Sequence, residues 1–211
     1  MTSYCLTSYG KDLIILDIKK DEFSLLPGAG DLLEEREQLL DRYPETADYF
    51  ASEYFIGSAN RHIQDSFLEE RWFLPDPDKV AYKLSLPQRL KLLLKILYYS
   101  KNIEKKGMAW IFRREERKKF NNWLPQQDIN NHIRKELSLV STAFHMNIFK
   151  SDCLTYSYTL KKMLNVRRID ARLVIGVRTQ PFYSHSWVEV SGRVINDDPD
   201  IRDKLSVIAE I

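Results

Sequence analysis

The part of the chain from residue 151 onward most constrains the fold, because a helical segment there is followed by runs of β-forming residues. Large apolar side chains recur at helical spacing over 153–164. The segments 171–177 (ARLVIGV) and 184–190 (SHSWVEV) are rich in β-branched or alternating apolar residues, and Ser191-Gly192 marks a tight turn after them. A helix followed by antiparallel strands predicts an α+β fold, with helices packed on one side of an antiparallel sheet.

A second, smaller α+β module is predicted ahead of this part. Three short β-type runs come first, at residues 4–7, 13–18 and 23–26. Three segments with helical spacing follow, at about 32–40, 45–54 and 63–72. The run Pro75-Asp76-Pro77-Asp78 then indicates a stop and a linker. We therefore expect a three-strand, three-helix module at 1–80 and a separate domain at 81–211.

The charge of the chain is divided into blocks. Residues 1–80 carry 8 Lys and Arg against 17 Asp and Glu, whereas residues 81–150 carry 15 against 5. Such blocks are typical of modules with different partners, and equally of solvated helix faces that differ in sign. The basic block at 81–150 is a candidate surface for phosphate groups, for a membrane surface or for a partner enzyme.

Composition excludes several other classes of protein. No apolar run is long enough to span a membrane, and the N-terminus MTSYCLTSYG lacks the basic start and apolar core of a secretory signal. Since 2 cysteines do not make a disulfide framework, we expect a cytoplasmic protein. The 4 histidines and the cysteines show neither CxxC nor HExxH spacing, so no metal site is expected.

Three residues in the C-terminal part have the order of a catalytic triad. Cys153 starts a predicted helix, where Ser151 or Asp152 would cap the helix and its dipole would favour the nucleophilic thiolate. His185 lies on the first strand of the predicted hairpin and Asp197 lies where the second strand ends, in the positions of base and orienting acid. A lone cysteine is more often inert and buried, and a lone strand histidine is more often solvated. The presence of all three residues in this order, on elements that suit their roles, favours a catalytic site.

The geometry of the hairpin leaves two candidates for the carboxylate. If Ser191-Gly192 is a two-residue turn, His185 faces Asp198, and Asp197 points to the opposite side of the hairpin. A one-residue bulge would instead place His185 opposite Asp197. The turn alone does not decide between them.

Several short motifs carry a family resemblance. They are Cys153-Leu154 opening a helix, Ile175-Gly176-Val177, Pro181-Phe182, His185–Val190 (HSWVEV) and Asn196-Asp197. In this combination they resemble the lasso-peptide leader peptidases, transglutaminase-like cysteine proteases also called B proteins, and most closely the microcin J-type members. The resemblance extends over the whole chain. It implies a triad of Cys153, His185 and Asp197 in the bulged register, with Asp198 as the second candidate.

The same resemblance implies a fold and a substrate-binding mode. The fold is a winged helix-turn-helix-like recognition module followed by a transglutaminase- or papain-like protease domain. In the family the leader peptide adds as a strand to the sheet of the module, beside its third helix, which is β-augmentation. Phe23 and Leu25 on the third strand and Phe67 on the third helix are our candidates for the apolar groove, although each also suits a core position. The acidic charge of residues 1–80 would steer a lysine-rich leader.

The activity implied by the resemblance is removal of the leader from a lasso-peptide precursor. The freed amine would then be used by a partner cyclase, an ATP-consuming enzyme that resembles asparagine synthetase. Since the chain has no phosphate-binding loop, any ATP dependence is expected to come from that cyclase. Precursors of the family usually have Thr before the last leader residue, so Tyr183 and Trp187, which flank His185, are candidate walls of a subsite near Cys153. Trp187 equally suits the core.

The alternative function is a non-catalytic one, in which a winged-helix module binds nucleic acid or a protein partner. Modules that bind DNA normally have a basic face, and this module is acidic, which counts against DNA. The basic block lacks the regular aromatic interleaving of a groove for single-stranded nucleic acid. We therefore expect a precursor peptide and a cyclase as partners, and no nucleic acid.

Overall fold

A computed structural model describes residues 3–58, 85–115, 126–145 and 152–211, and in the third range it describes side chains from Ile129 onward. The N-terminal strands are β1 (Tyr4–Tyr9), β2 (Asp12–Asp17), β3 (Glu22–Leu26) and β4 (Tyr54–Ile56), in the sheet order β3-β2-β1-β4. β4 runs parallel to β1, and the other pairs are antiparallel. Two short 3-10 turns (Asp31–Leu33, Pro44–Thr46) and helices α1 (Arg36–Arg42) and α2 (Ala47–Ala51) connect β3 to β4.

Strand β4 was not predicted from the sequence pattern. Tyr54 continues the helical spacing of the preceding residues, yet it pairs with Tyr4 of β1 because α2 ends at Ala51. The three predicted strands and the first two helices are present. The predicted third helix near 63–72, with Phe67, lies outside the described residues.

The C-terminal part is a second α+β unit, and the predicted fold class is confirmed. Its helices are α3 (Leu86–Arg114, kinked at Gly107), α4 (Gln126–His145), α5 (Cys153–Val166) and α6 (Ile201–Lys204). Its strands are β5 (Ala171–Thr179), β6 (Phe182–Val190), β7 (Arg193–Val194) and β8 (Ser206–Glu210), in the order β7-β6-β5-β8 with antiparallel pairing throughout.

The two faces of the second sheet are covered by different helices. On one face, Tyr156 and Leu160 of α5 pack with Val188 of β6. On the other face, Trp187 packs against the short helix α6 at Ile201, an element that the sequence pattern did not predict. Burial on both faces makes β5 and β6 the rigid centre of this unit, and β6 carries His185.

The two sheets meet and share a core. The Val207 N–H group of β8 donates to the Ser58 C=O group at 3.0 Å, and Ser206 Oγ donates to the Ser8 C=O group at 2.6 Å. Side chains from both sheets, from α3 and from α5 form one apolar cluster, which includes Cys5, Ile14, Leu16, Ile103, Ile111, Tyr158, Ile175 and Val177. The two parts are therefore packed together, and a domain boundary near residue 80 stays a prediction.

None of the helices in the described ranges is long and apolar enough to cross a membrane. Within the same ranges, His, Cys, Asp and Glu side chains nowhere gather in a group of three that could hold a metal ion.

Candidate active site

Cys153 is the first residue of α5, and Asp152 caps that helix. Asp152 Oδ1 accepts a hydrogen bond from the Thr155 N–H group at 2.6 Å, and the Asp152 C=O group accepts one from Tyr156 at 3.1 Å. Asp152 therefore uses amides later in the first turn and leaves the Cys153 amide for another acceptor. The thiol lies at the positive end of the helix dipole, which favours its anionic form. The other predicted cap, Ser151, lies outside the described residues.

His185 stands on β6, opposite Gly176 of β5. Tyr183 and Trp187 lie two positions before and after it on the same face, and their rings stack on the imidazole with centroids 5.9 and 6.3 Å away. A Cβ atom on Gly176 would lie 2.7 Å from the Trp187 ring, so the close approach of Trp187 requires glycine there. The imidazole is 5% exposed and is held between two aromatic rings.

The structure brings Asp197 to His185. His185 Nε2 lies 2.6 Å from Asp197 Oδ2, a hydrogen-bond distance. Asp197 Oδ1 accepts the N–H group of Asp198 at 2.9 Å. The Asp198 carboxylate is exposed and lies 3.6 Å from Lys204 Nζ, away from the imidazole. Of the two predicted carboxylates, the structure therefore places Asp197 at the site.

The bulged register that the family resemblance implied is wrong. Glu189 pairs with Val194 and Val190 with Arg193, which is the register of a simple two-residue turn. Ser191 and Gly192 both have left-handed backbone angles, with φ 51° and 74°, as a tight hairpin turn of type I′ requires. In that register the continued ladder would place Asp198 opposite His185, so another feature must bring Asp197 there.

That feature is Asn196, whose side chain ends the β-ladder. The Ile195 N–H group still donates to the Val188 C=O group at 3.0 Å, but the Val188 N–H group donates to Asn196 Oδ1 at 2.6 Å in place of a backbone carbonyl. Asn196 Nδ2 donates to Ser157 Oγ at 3.2 Å, and Ser157 Oγ donates to the Ser186 C=O group at 2.9 Å. These buried bonds tie α5, β6 and the segment before Asp197 to one another.

The electrostatics of the site favour an ion pair between thiolate and imidazolium. Burial raises the pKa of the Cys153 thiol, but hydrogen bonding to His185, the charge of His185 and hydrogen bonds from Ser186 outweigh burial, so the net pKa is below the ordinary value. Burial lowers the pKa of His185, while hydrogen bonds to Asp197 and Cys153 and the charges of both raise it to about 9. Each group therefore stabilises the charged form of the other.

The two nitrogens of the imidazole have different partners. Since Nε2 faces Asp197, Nδ1 is the nitrogen left for the thiol. Tyr183 Oη lies 3.4 Å from Nδ1, at the outer limit of a hydrogen bond. Tyr183 is half-buried and reaches the reacting side of the imidazole, which keeps it a candidate for substrate contact.

The other predicted substrate-binding residues divide into three groups. Trp187 is fully buried and its Nε1–H group donates to Glu189 at 2.7 Å, so it supports His185 from the core; the prediction of a subsite wall is wrong for this residue. Phe23 and Leu25 lie on β3 and are 36% and 40% exposed. Phe67 lies outside the described residues.

Sequence reasoning missed the support of the site by Glu189. Its buried carboxylate accepts from Trp187 and forms two hydrogen bonds with Arg202, at 2.6 and 2.9 Å. Burial raises the pKa of Glu189, but its hydrogen bonds to Arg202 and Trp187 bring the pKa below the usual range. The alternation in SHSWVEV places Glu189 on the same face as His185, and a carboxylate on a buried face needs a cation, which was the signal available.

Comparison with known proteins agrees with the geometry. Residues 103–210 match the model of the transglutaminase-like superfamily, and the chain belongs to that superfamily. A curated relative, the microcin J25-processing protein McjB of Escherichia coli, is 64% identical over 211 residues, which is 100% of both chains. The predicted resemblance to microcin J-type maturation proteins is thereby confirmed. None of the solved structures matches the chain.

Proposed function

We propose that this protein is a cysteine protease that removes the leader peptide from a lasso-peptide precursor of the microcin J25 type. The observation that carries the proposal is the contact of His185 Nε2 with Asp197 Oδ2 at 2.6 Å, on an imidazole whose other side faces the Cys153 thiol. A thiol, a base and an orienting acid are the parts that covalent acyl transfer needs. The relationship to a microcin J25-processing protein supports the choice of substrate.

The proposed reaction begins from the ion pair. The Cys153 thiolate attacks the carbonyl carbon of the last leader residue, and the Cys153 amide at the start of α5 stabilises the resulting oxyanion. The imidazolium of His185 gives its proton to the leaving amine, which becomes the N-terminus of the core peptide, as the C–N bond breaks. Water then attacks the thioester while His185 takes its proton. The leader acid departs as the C–S bond breaks, and the ion pair of thiolate and imidazolium is restored.

Asp197 holds the imidazole during both steps. Its carboxylate accepts the Nε2–H group, which directs Nδ1 to the thiol and stabilises the imidazolium. Because Asp197 touches neither the scissile carbonyl nor the leaving amine in this scheme, its loss should lower the rate more than the binding of the precursor.

The capture of the leader is proposed to occur on β3. In the described part of the chain β3 pairs only with β2, and residues 22–25 are exposed, so its outer edge is open for an added strand. Phe23 and Leu25 would supply apolar contacts to the leader. The acidic charge of residues 1–80 would attract a basic leader from a distance.

The partner and the compartment follow from the same proposal. The freed amine would be consumed by an ATP-dependent cyclase that resembles asparagine synthetase, and the ATP would be used by that enzyme, in the cytoplasm. The alternative of nucleic-acid binding is not favoured, because the N-terminal module is acidic.

Mass spectrometry of the microcin J25 precursor tests the proposal. The precursor is incubated with the full chain, with and without the cyclase and ATP, and the fragments are identified. We expect one cut, between leader and core, and none with Cys153→Ala, which should still bind the leader. Cys5→Ala is the matched control, since Cys5 is fully buried and burial raises its pKa to about 12. Cleavage by Cys153→Ala would contradict the proposed function.

A further inference from the structure

Exposed apolar side chains from the two sheets meet in one place. The rings of Phe23 on β3 and Phe182 at the start of β6 have centroids 5.3 Å apart. Phe182 is 47% exposed, Phe23 is 36% exposed, and Leu25 next to them on β3 is 40% exposed. Large apolar side chains that converge while still exposed are typical of a surface that binds something apolar.

Phe182 of this apolar cluster lies on the face of β6 that packs, through Val188, against α5, the helix that begins with Cys153. Phe182, Ser184 and Ser186 alternate along β6 and therefore point to one face of the sheet. Ser186, at the end of this row, is one of the groups near Cys153 that lower the pKa of its thiol. Phe182 and Ser186 are four positions apart on the strand, which is a distance of about 13 Å. Along this row Phe182 is exposed, Ser184 is half-buried and Ser186 is 2% exposed, so the row becomes buried as it approaches α5.

Phe23 and Leu25 of β3 lie on the side of their sheet that faces the core shared by both sheets. Phe23 pairs with Leu16 and Leu25 with Ile14, and paired residues point to the same side of a sheet. Leu16 and Ile14 are fully buried in the core that both sheets share, together with Val177 of β5. Val177 pairs with Ser184 of β6. Phe23 and Phe182 thus lie at the margin of this shared core, where β3 approaches the strand that carries His185.

We infer that Phe182 and Phe23 form a subsite for a large apolar side chain of the leader, three to five residues before the bond that is cut. The inference rests on the proposed function. In this arrangement a leader held on β3 crosses the two rings as it passes from β3 to β6, so the side chain over the rings belongs to the leader and not to the core peptide. An extended peptide advances about 3.3–3.6 Å per residue, so a path of about 13 Å holds about four residues.

The subsite has two parts with separate roles. Phe23 belongs to the edge that captures the leader, whereas Phe182 belongs to the strand that carries His185. Loss of Phe23 should therefore weaken both capture of the leader and selection at the subsite. Loss of Phe182 should weaken selection alone, because Phe182 lies beyond the edge where the leader is captured.

A substitution series in the precursor tests the subsite. Each of the last six leader residues of the microcin J25 precursor is replaced in turn by Leu and by Asn, which are similar in size but differ in polarity. The ratio of kcat/KM for Leu over Asn is measured with the wild-type chain and with Phe182→Ala. For wild type we expect a ratio of about tenfold at one position among the third to fifth, mainly through KM, as burial of one large side chain gives. For Phe182→Ala that ratio should fall to near one.

Two controls separate selection from folding and capture. Val166→Ala removes an apolar side chain that is 73% exposed at the far end of α5, and it should keep the wild-type profile. Phe182→Ala should keep the wild-type Tm and the wild-type Kd for a leader peptide that lacks its last six residues.

The possible results distinguish the proposed subsite from the protease function on which it rests. A Phe182→Ala profile identical to wild type, a wild-type profile without an apolar preference, or an equal change at every position would each overturn the subsite while leaving the protease proposal intact. If the wild-type chain cuts none of the precursors, the proposed function fails and the subsite with it.

Discussion

His185 Nε2 lies 2.6 Å from Asp197 Oδ2, although the register of the β6–β7 hairpin would place Asp198 opposite His185. Asn196 reconciles the two facts, because its side chain replaces the next backbone carbonyl of the ladder and lets the chain leave the strand one residue before Asp197. The carboxylate therefore reaches the imidazole from a loop held by a buried side chain, and not from a bulged strand.

The first prediction concerns Asn196 as a positioning residue. Asn196→Ala leaves the Val188 N–H group and the Ser157 hydroxyl without their buried partner, so the free energy of unfolding should fall by about 1–3 kcal/mol. Misplacement of Asp197 should lower kcat by about 100-fold with little change in KM. The decline of activity at high pH should also move to lower pH, because His185 loses the partner that raises its pKa.

Asn165→Ala is the matched control for Asn196. Asn165 Oδ1 also accepts a backbone N–H group, that of Ala171 at 3.3 Å, but at the opposite end of α5. It should lose stability without a change in the pH profile. Denaturant unfolding measures the loss of stability of the two variants, and steady-state kinetics measures their kcat and KM. Equal effects of the two substitutions on kcat would count against a positioning role for Asn196.

The second prediction concerns pH. His185 keeps its proton up to about pH 9 because its pKa is raised to about 9, and Cys153 loses its proton below the ordinary thiol range. Between these limits the ion pair is present. Alkylation of Cys153 by iodoacetamide should therefore increase with pH through a lower range than that of an ordinary thiol, as the thiolate forms.

Precursor cleavage should follow a bell-shaped profile from the same two groups. It should rise as Cys153 ionises and decline above about pH 9, as His185 loses the proton that the leaving amine needs. Cys5 should stay unmodified at neutral pH, because burial raises its pKa to about 12. Peptide mapping of the alkylated protein checks both cysteines. An alkylation rate for Cys153 that increases only through the range of an ordinary thiol would contradict the ion pair.

The third prediction concerns the capture of the leader by β3. Phe23→Ala and Leu25→Ala should each raise the Kd of a labelled leader peptide by about tenfold, the effect of one large side chain that is no longer buried on binding. Ile56→Ala is the control, since Ile56 is 48% exposed on β4, the strand at the other end of the same sheet. Fluorescence anisotropy gives the three Kd values. A larger effect on Kd for Ile56→Ala than for Phe23→Ala and Leu25→Ala would place the leader on the β4 edge of the sheet and contradict capture by β3.

Local patterns predicted most of the fold and the main residues of the site. Cys153 after Asp152 is a helix start, and the alternation around His185 is that of a strand, so both could be assigned from neighbouring residues. Asp31, with Glu34 three residues later, also has the pattern of a helix start, yet α1 begins later, at Arg36. There the Gly30 N–H group donates to the Lys11 C=O group at 2.8 Å, a contact with β2 that the local pattern does not contain.

Several features that the local patterns did not predict depend on distant contacts. Tyr54 enters a strand because β1 offers it a parallel partner. The position of Asp197 depends on a bond between Asn196 and Ser157, which lies on another element. The contact of Phe23 with Phe182 joins opposite ends of the chain. Periodicity and turn types describe neighbours along the chain, so none of these could be read from them.

The relative importance of the three site residues is also expected to differ. His185→Ala should slow cleavage more than Asp197→Ala, because the imidazole transfers the proton whereas the carboxylate orients it. Both variants should keep the wild-type Kd for the leader, since neither residue lies on β3.

Single-turnover cleavage of the precursor by Asp197→Ala and Asp198→Ala tests the proposed site most directly. The two substitutions remove the same group from adjacent residues, of which one contacts His185 and the other contacts Lys204. Asp197→Ala should slow cleavage by a factor on the order of 10³–10⁴. Asp198→Ala should cleave at the wild-type rate. A slow Asp198→Ala beside an unimpaired Asp197→Ala would contradict the assignment of Cys153, His185 and Asp197 as the catalytic site.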